Sequence, residues 1–129
     1  MTLRSPLRGV LGLGSAKEGV HAWWMQRLSA LALVPLSIWF VVSLLALPAL
    51  DQATLVAWMG QSWTALLLIL FVLVAAWHSH LGVRVVLEDY VPDPGALTLS
   101  LVLARFVHVL LAAAGVFAVL RITFGGAPP

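Results

Sequence analysis

Cysteine is absent from this chain of 129 residues, and charged residues are scarce. Without cysteine the chain holds no disulfide, no iron–sulfur cluster and no thiolate-bound metal of its own, so histidine is left as the side chain suited to a metal such as iron. Lys, Arg, Asp and Glu make up 9% of the residues, whereas 62% are hydrophobic. A soluble domain carries about 25% charged residues. The composition therefore excludes a water-soluble globular protein and predicts an integral protein of the lipid bilayer.

The distribution of positive charge argues against a nucleic-acid partner. The formal net charge is +2, and the 7 Lys and Arg residues are spread along the whole chain. A nucleic-acid interface needs a basic patch or stripe. We expect the arginines instead to set the orientation of the chain in the membrane.

Three long apolar segments predict an all-α membrane protein with three transmembrane helices. The expected spans are residues 23–47, 62–86 and 97–122, and each has the roughly 20 residues that a helix needs to cross a bilayer. A basic, glycine-rich leader at residues 1–20 precedes them and is poorly suited to helix. Residues 21–129 then form the membrane anchor.

The segments between the spans are expected to be short and irregular. Residues 49–61 are predicted to be a loop, and residues 88–96 a turn, because Pro92 and Pro94 disfavour helix there. Pro35 lies inside the first span, where we expect it to kink the helix.

The basic residues predict which way the chain crosses the membrane. Three spans place the termini on opposite sides, and Arg121 is alone on the C-terminal side. The N-terminal side carries Arg4, Arg8, Lys17, Arg27, Arg84 and Arg105. By the positive-inside rule, the N-terminus and the 88–96 turn are cytoplasmic and the C-terminus is periplasmic.

Histidine, arginine, two acids and a tyrosine crowd together only in residues 77–90. His78 lies in the second predicted span, and Gly82 follows at i+4 on the same helix face. A histidine with a glycine one turn later leaves a flat opening in which a planar macrocycle fits. The alternative is that His78 makes a hydrogen bond between helices, and the sequence leaves both interpretations open.

His80 is expected to face away from His78, because two residues correspond to about 200° of helix rotation. Haem b in membrane bundles is commonly held by one histidine from each of two helices. The second ligand is therefore either His108, in the third span, or a residue of another subunit. A bundle of three helices is small for enclosing a haem, which favours another subunit.

Two further sets of polar residues have both functional and structural interpretations. Arg27 and Arg105 are suited to haem propionates, but the residues alone favour arginines that extend to the membrane surface. Tyr90 and its neighbour Asp89 are suited to a quinone, since a phenol donates to a carbonyl and a carboxylate relays a proton. Taken one at a time, they favour an interfacial tyrosine and a turn-forming aspartate.

Two motifs together resemble a known family. One is His78-x-x-x-Gly82-x-x-x-x-x-x-Asp89-Tyr90-Val91, and the other is His21-x-x-x-x-x-Arg27-Leu28-Ser29-Ala30. In this arrangement over three spans, the chain resembles the smaller cytochrome b membrane-anchor subunit of succinate dehydrogenase (respiratory complex II).

The resemblance implies a role for each matching residue. His78 matches the axial ligand of haem b, whose second histidine comes from the larger cytochrome b anchor subunit. Tyr90 matches the tyrosine that hydrogen-bonds ubiquinone, and Asp89 is its neighbour. Arg27 matches an arginine near the haem propionates, with His21 as a second candidate nearby.

The same resemblance implies the place of the chain in an enzyme. It would form half of a haem-binding heterodimeric bundle in the bacterial inner membrane. Electrons from succinate would reach quinone through a flavoprotein subunit and an iron–sulfur subunit, while this chain carries no flavin and no residue for succinate oxidation. Two alternatives are an anchor of quinol:fumarate reductase, and a structural or assembly protein without a redox role.

Overall fold

The computed structural model describes residues 16–125, with side chains from residue 19 onward. The helices in this part of the chain are α1 (Ala16–Leu45), α2 (Gln52–Met59), α3 (Ser62–Tyr90) and α4 (Pro94–Phe124), and it contains no strand. Three of the helices, α1, α3 and α4, are long and apolar enough to cross a membrane. The predicted all-α fold with three spans is thereby confirmed.

The first helix begins earlier than the sequence predicted. α1 already includes Ala16 and Gly19, so the end of the expected leader is helical, while residues 1–15 lie outside the described residues. Helix formation is cooperative, and a single glycine costs only about 1 kcal/mol. The apolar segment that follows therefore extends its helix backward through Gly19. α1 also continues through Pro35.

The expected loop at 49–61 contains a helix, α2, so this prediction was wrong for most of its length. Asp51 caps the helix, since its Oδ1 accepts a hydrogen bond from the Thr54 backbone amide at 2.8 Å. That hydrogen bond holds the pKa of the Asp51 carboxyl below its ordinary value of 3.8. Trp58 and Met59 of α2 then pack against the apolar cluster of the bundle.

The expected turn at 88–96 is also shorter than predicted, because α3 continues to Tyr90 and only residues 91–93 are non-helical. The first proline that disfavours helix is Pro92. α4 begins directly afterwards at Pro94, with Asp93 as its cap: Oδ2 accepts from the Ala96 amide at 2.7 Å.

α3 is the central helix. It packs against α1 on one side and α4 on the other, whereas within residues 16–125 no Cα atom of α1 lies within 8 Å of a Cα atom of α4. Gly115 lets α4 approach closely, since a Cβ placed there would lie 2.8 Å from Cγ1 of Val72. The two sides of α3 therefore face different neighbours.

The buried core is small and lies near the start of α3. Ala65, Leu68 and Val119 form its centre, with Trp39 and Phe40 packed against it. Most other large apolar side chains point outward on all three long helices, as Leu45 does with 80% of its surface exposed. Such a surface suits a chain whose solvent is lipid and whose remaining contacts are with other membrane helices.

Candidate functional site

His78 lies in the groove between α1 and α3, half-buried, and hydrogen-bonds the facing helix. The Ser29 hydroxyl oxygen lies 2.9 Å from Nδ1 of His78, and the same hydroxyl donates to the Gln26 backbone carbonyl at 3.0 Å. Ser29 is one of the few buried polar residues, with 8% of its surface exposed. The interhelical hydrogen bond that the sequence left open is therefore present.

The other ring nitrogen of His78 faces a side-chain amide. Nε2 of Gln26 lies 3.5 Å from Nε2 of His78, at the upper limit of a hydrogen bond. Oε1 of Gln26 is buried and has no hydrogen-bond partner within residues 16–125. A buried polar atom without a partner is costly. The groove beside the imidazole therefore contains a buried hydrogen-bond acceptor, Oε1 of Gln26, that residues 16–125 leave without a donor.

A cavity of about 460 Å³ adjoins this amide between α1 and α3. Its lining comprises Gly19, Ala22, Trp23, Gln26, Leu81, Arg84, Val85 and Glu88. Gly82, next in sequence to the lining residue Leu81, lies near the same amide: a Cβ built there would meet one atom within 4 Å, Nε2 of Gln26 at 3.8 Å. The cavity therefore reaches the Gln26 amide that faces His78, while His78 itself is not among its lining residues.

His80 faces the opposite side of α3, as helical periodicity predicted. Its ring centroid lies 5.4 Å from that of His108 on α4 and 6.1 Å from that of Trp77. Its Nδ1 is buried without a hydrogen-bond partner in the described part of the chain. His78 therefore contacts α1, while His80 contacts α4.

The structure does not bring His108 to His78. His108 is fixed on the α4 side by two hydrogen bonds, from Nδ1 to the Ala104 carbonyl at 2.7 Å and between Nε2 and the Ser79 hydroxyl at 3.1 Å. With Arg105 it lines a separate cavity of about 220 Å³. The idea that His108 supplies a second ligand beside His78 within this chain is therefore wrong.

The two candidates for haem propionates lie on the outer surface of α1. Both Arg27 and His21 are exposed. The guanidinium carbon of Arg27 lies 5.3 Å from the ring centre of Trp23, a cation–π contact. Because Trp23 also lines the α1–α3 cavity, Arg27 lies one side chain away from it.

The quinone candidates occupy the last turn of α3. Asp89 and Tyr90 are both exposed, Tyr90 with 81% of its surface. In the same turn Glu88 is paired with Arg84, one turn earlier: Nε of Arg84 donates to Oε1 of Glu88 at 2.7 Å, and this exposed ion pair lies at the cavity wall. The end of α3 thus presents an exposed carboxylate and an exposed phenol directly after Glu88, a residue of the cavity wall.

Within residues 16–125 no three His, Asp or Glu side chains converge as they would around a metal ion. Each candidate ligand on this chain is therefore a single imidazole. That donor set fits an iron whose ring nitrogens come from a macrocycle and whose second axial ligand comes from elsewhere.

Sequence reasoning missed Ser29 and Gln26 as site residues. The available signal was their spacing: two polar residues three positions apart share one face of an otherwise apolar helix. In a membrane span such a pair usually faces a partner rather than lipid. What the sequence did not contain was the identity of the facing residue, His78.

Comparison with known proteins gives a consistent match. The family model described as succinate dehydrogenase/fumarate reductase transmembrane subunit matches residues 1–120. The succinate dehydrogenase hydrophobic membrane anchor subunit of Paracoccus denitrificans is 31% identical over 121 residues, which cover 94% of this chain and 93% of the relative. The proteins of the same name from Rickettsia bellii and Rickettsia conorii are 35% and 33% identical over 60% of this chain, and the matches cover 62% and 63% of those relatives.

Proposed function

The chain belongs to the succinate dehydrogenase/fumarate reductase transmembrane subunit family, and from this we propose that it anchors succinate dehydrogenase in the bacterial inner membrane. Its partners are a larger cytochrome b anchor subunit, an iron–sulfur subunit and a flavoprotein subunit. Together with the larger anchor subunit it binds haem b and forms part of the site at which ubiquinone is reduced. The N-terminus and the end of α3 face the cytoplasm, and the C-terminus faces the periplasm.

The observation that carries the haem assignment is the position of His78. Its imidazole sits in the α1–α3 groove, with Nε2 toward an amide that lines a 460 Å³ cavity, a volume in the usual range for small-molecule sites. Gly82 keeps the same face open by having no side chain. These residues fit one axial ligand and one wall of a haem site.

The remaining parts of a haem site are assigned to residues outside the groove. The second axial histidine belongs to the larger anchor subunit, since His108 is held on the other side of α3. Arg27, with His21 nearby, is the cation for the propionates, because an arginine at the membrane surface pairs bidentately with a carboxylate. The bound haem supplies one-electron chemistry.

Quinone reduction depends on Tyr90 and Asp89. A quinone takes up two electrons and two protons to become a quinol, so its carbonyl oxygens need a hydrogen-bond donor and a route for protons. The Tyr90 hydroxyl donates to one carbonyl and orients the headgroup. The Asp89 carboxylate, next to it in the last turn of α3, passes protons from the cytoplasmic water. Electrons come from the iron–sulfur subunit.

Purification of the tagged chain from native membranes tests the anchoring role. We expect a flavoprotein and an iron–sulfur protein to copurify and the preparation to reduce ubiquinone with succinate. In cells without the chain, succinate oxidation with an artificial acceptor should move from the membrane to the soluble fraction. A dehydrogenase that stays fully membrane-bound without this chain would contradict the proposal.

The same preparation separates the two alternative functions. A fumarate reductase would oxidise a low-potential quinol with fumarate faster than it reduces ubiquinone with succinate. A structural or assembly protein would copurify without either activity. The names of the curated relatives favour succinate oxidation.

A further inference from the structure

We propose that Ser29 is the positioning residue for His78: its hydroxyl accepts the Nδ1 proton of the imidazole and so leaves Nε2 unprotonated for the haem iron. This inference rests on the proposed function, because it assigns a role toward the haem that His78 would bind. It concerns a residue that touches neither haem nor quinone and acts through the ligand.

The direction of the hydrogen bonds follows from counting protons. The Ser29 hydroxyl has one proton and two close partners, the Gln26 carbonyl at 3.0 Å and Nδ1 of His78 at 2.9 Å. A carbonyl only accepts, whereas a ring nitrogen either donates or accepts. If the serine proton goes to Gln26, both contacts are hydrogen bonds only when Nδ1 of His78 carries the proton. In the reverse arrangement the serine and carbonyl oxygens would face each other at 3.0 Å without a proton between them.

The second ring nitrogen agrees with this tautomer. A neutral imidazole with its proton on Nδ1 has a lone pair on Nε2, and the Gln26 amide nitrogen, which only donates, is the group that faces Nε2 at 3.5 Å. A metal needs this same lone pair. The Gln26 contact is long and its Oε1 is buried without a partner in the described residues, so this amide is loosely held where the ligand would approach.

The burial of Ser29 makes the arrangement rigid. Its side chain hydrogen-bonds its own helix at i−3 as well as the facing helix, and it is shielded from lipid and water. A ligating histidine usually donates its second N–H to a fixed acceptor, which sets ring orientation and raises the electron donation of the ligating nitrogen. Ser29 thus joins α1 to α3 at the point where the orientation of the imidazole matters.

A pair of isosteric substitutions isolates the hydroxyl. Ser29→Thr keeps a hydroxyl that can hydrogen-bond a backbone carbonyl of the preceding turn. Ser29→Val has the shape of the threonine variant but lacks the hydroxyl. In the purified four-subunit complex we expect Ser29→Val to bind haem roughly 10-fold more weakly, the usual loss when such a support is removed, and to raise the haem midpoint potential. Ser29→Thr should remain close to the native complex in both measurements, and Ser29→Ala should behave as Ser29→Val does.

Ser79→Ala is the matched control, because Ser79 neighbours His78 in the chain but hydrogen-bonds His108. It should leave haem binding and potential unchanged. Equal behaviour of the Thr and Val variants would overturn the role of Ser29, and Ser29→Ala decides the matter if the Val variant fails to assemble. A native complex without haem, or with haem that survives loss of His78, would instead overturn the haem assignment of the proposed function, on which this inference rests.

Discussion

His78 and His80 are two residues apart on α3 and contact different helices. His78 hydrogen-bonds Ser29 on α1, and the ring of His80 lies 5.4 Å from that of His108 on α4. We therefore expect His80→Leu to leave the haem spectrum of the complex intact, because this imidazole does not face the α1–α3 cavity. Reduced-minus-oxidised spectra of the purified complex check this. Loss of the haem band with His80→Leu would mean that the ligand had been assigned to the wrong histidine.

Replacement of Tyr90 by Phe should slow ubiquinone reduction by roughly 5-fold, since one hydrogen bond contributes about 1 kcal/mol. Tyr90 is the single tyrosine of the chain, so no other phenol of this chain can replace it. Succinate oxidation with an artificial acceptor should be unchanged, because that reaction takes place on another subunit. Glu88→Gln is the control: Glu88 lies in the same turn but is paired with Arg84. An unchanged quinone rate with Tyr90→Phe would remove Tyr90 from the quinone site.

The contact between α3 and α4 gives a test of the fold that is independent of any ligand. A methyl group on Gly115 would lie 2.8 Å from Cγ1 of Val72, so Gly115→Ala should destabilise the complex by about 1–3 kcal/mol, as overpacking usually does. Thermal inactivation of the purified complex measures this. The double variant with Val72→Ala should recover most of the loss; no recovery would show that the two helices pack differently.

Hydrophobicity and helical periodicity were sufficient to predict the number of spans and the different sides of α3 on which His78 and His80 lie. The apolar runs predicted three spans, and the 200° of helix rotation between His78 and His80 predicted that the two side chains face different neighbours. The helical continuation to Tyr90 was missed because the expected turn was begun at residue 88, although the first proline that disfavours helix is Pro92. α2 was missed because a helix of eight residues is marginal by itself, and its packing on the apolar cluster is a tertiary contact that no local pattern reveals.

The site was only partly accessible from sequence. His78 and Gly82 share a face by local spacing, which any helix reveals. The hydrogen bond between Ser29 and His78 joins residues 49 positions apart, and no local pattern encodes such a pairing. Likewise, the position of His108 relative to α3 depends on how α4 packs against α3. The helical periodicity of α4 alone does not determine that packing.

The visible spectrum of the purified complex with His78→Leu tests the central claim most directly. The native complex should show the band of a low-spin haem b, and the variant should lose it while its flavin and iron–sulfur content and its succinate oxidation with an artificial acceptor persist. Retention of the native haem band after His78→Leu, or a native complex without haem, would contradict the assignment of His78 as an axial ligand.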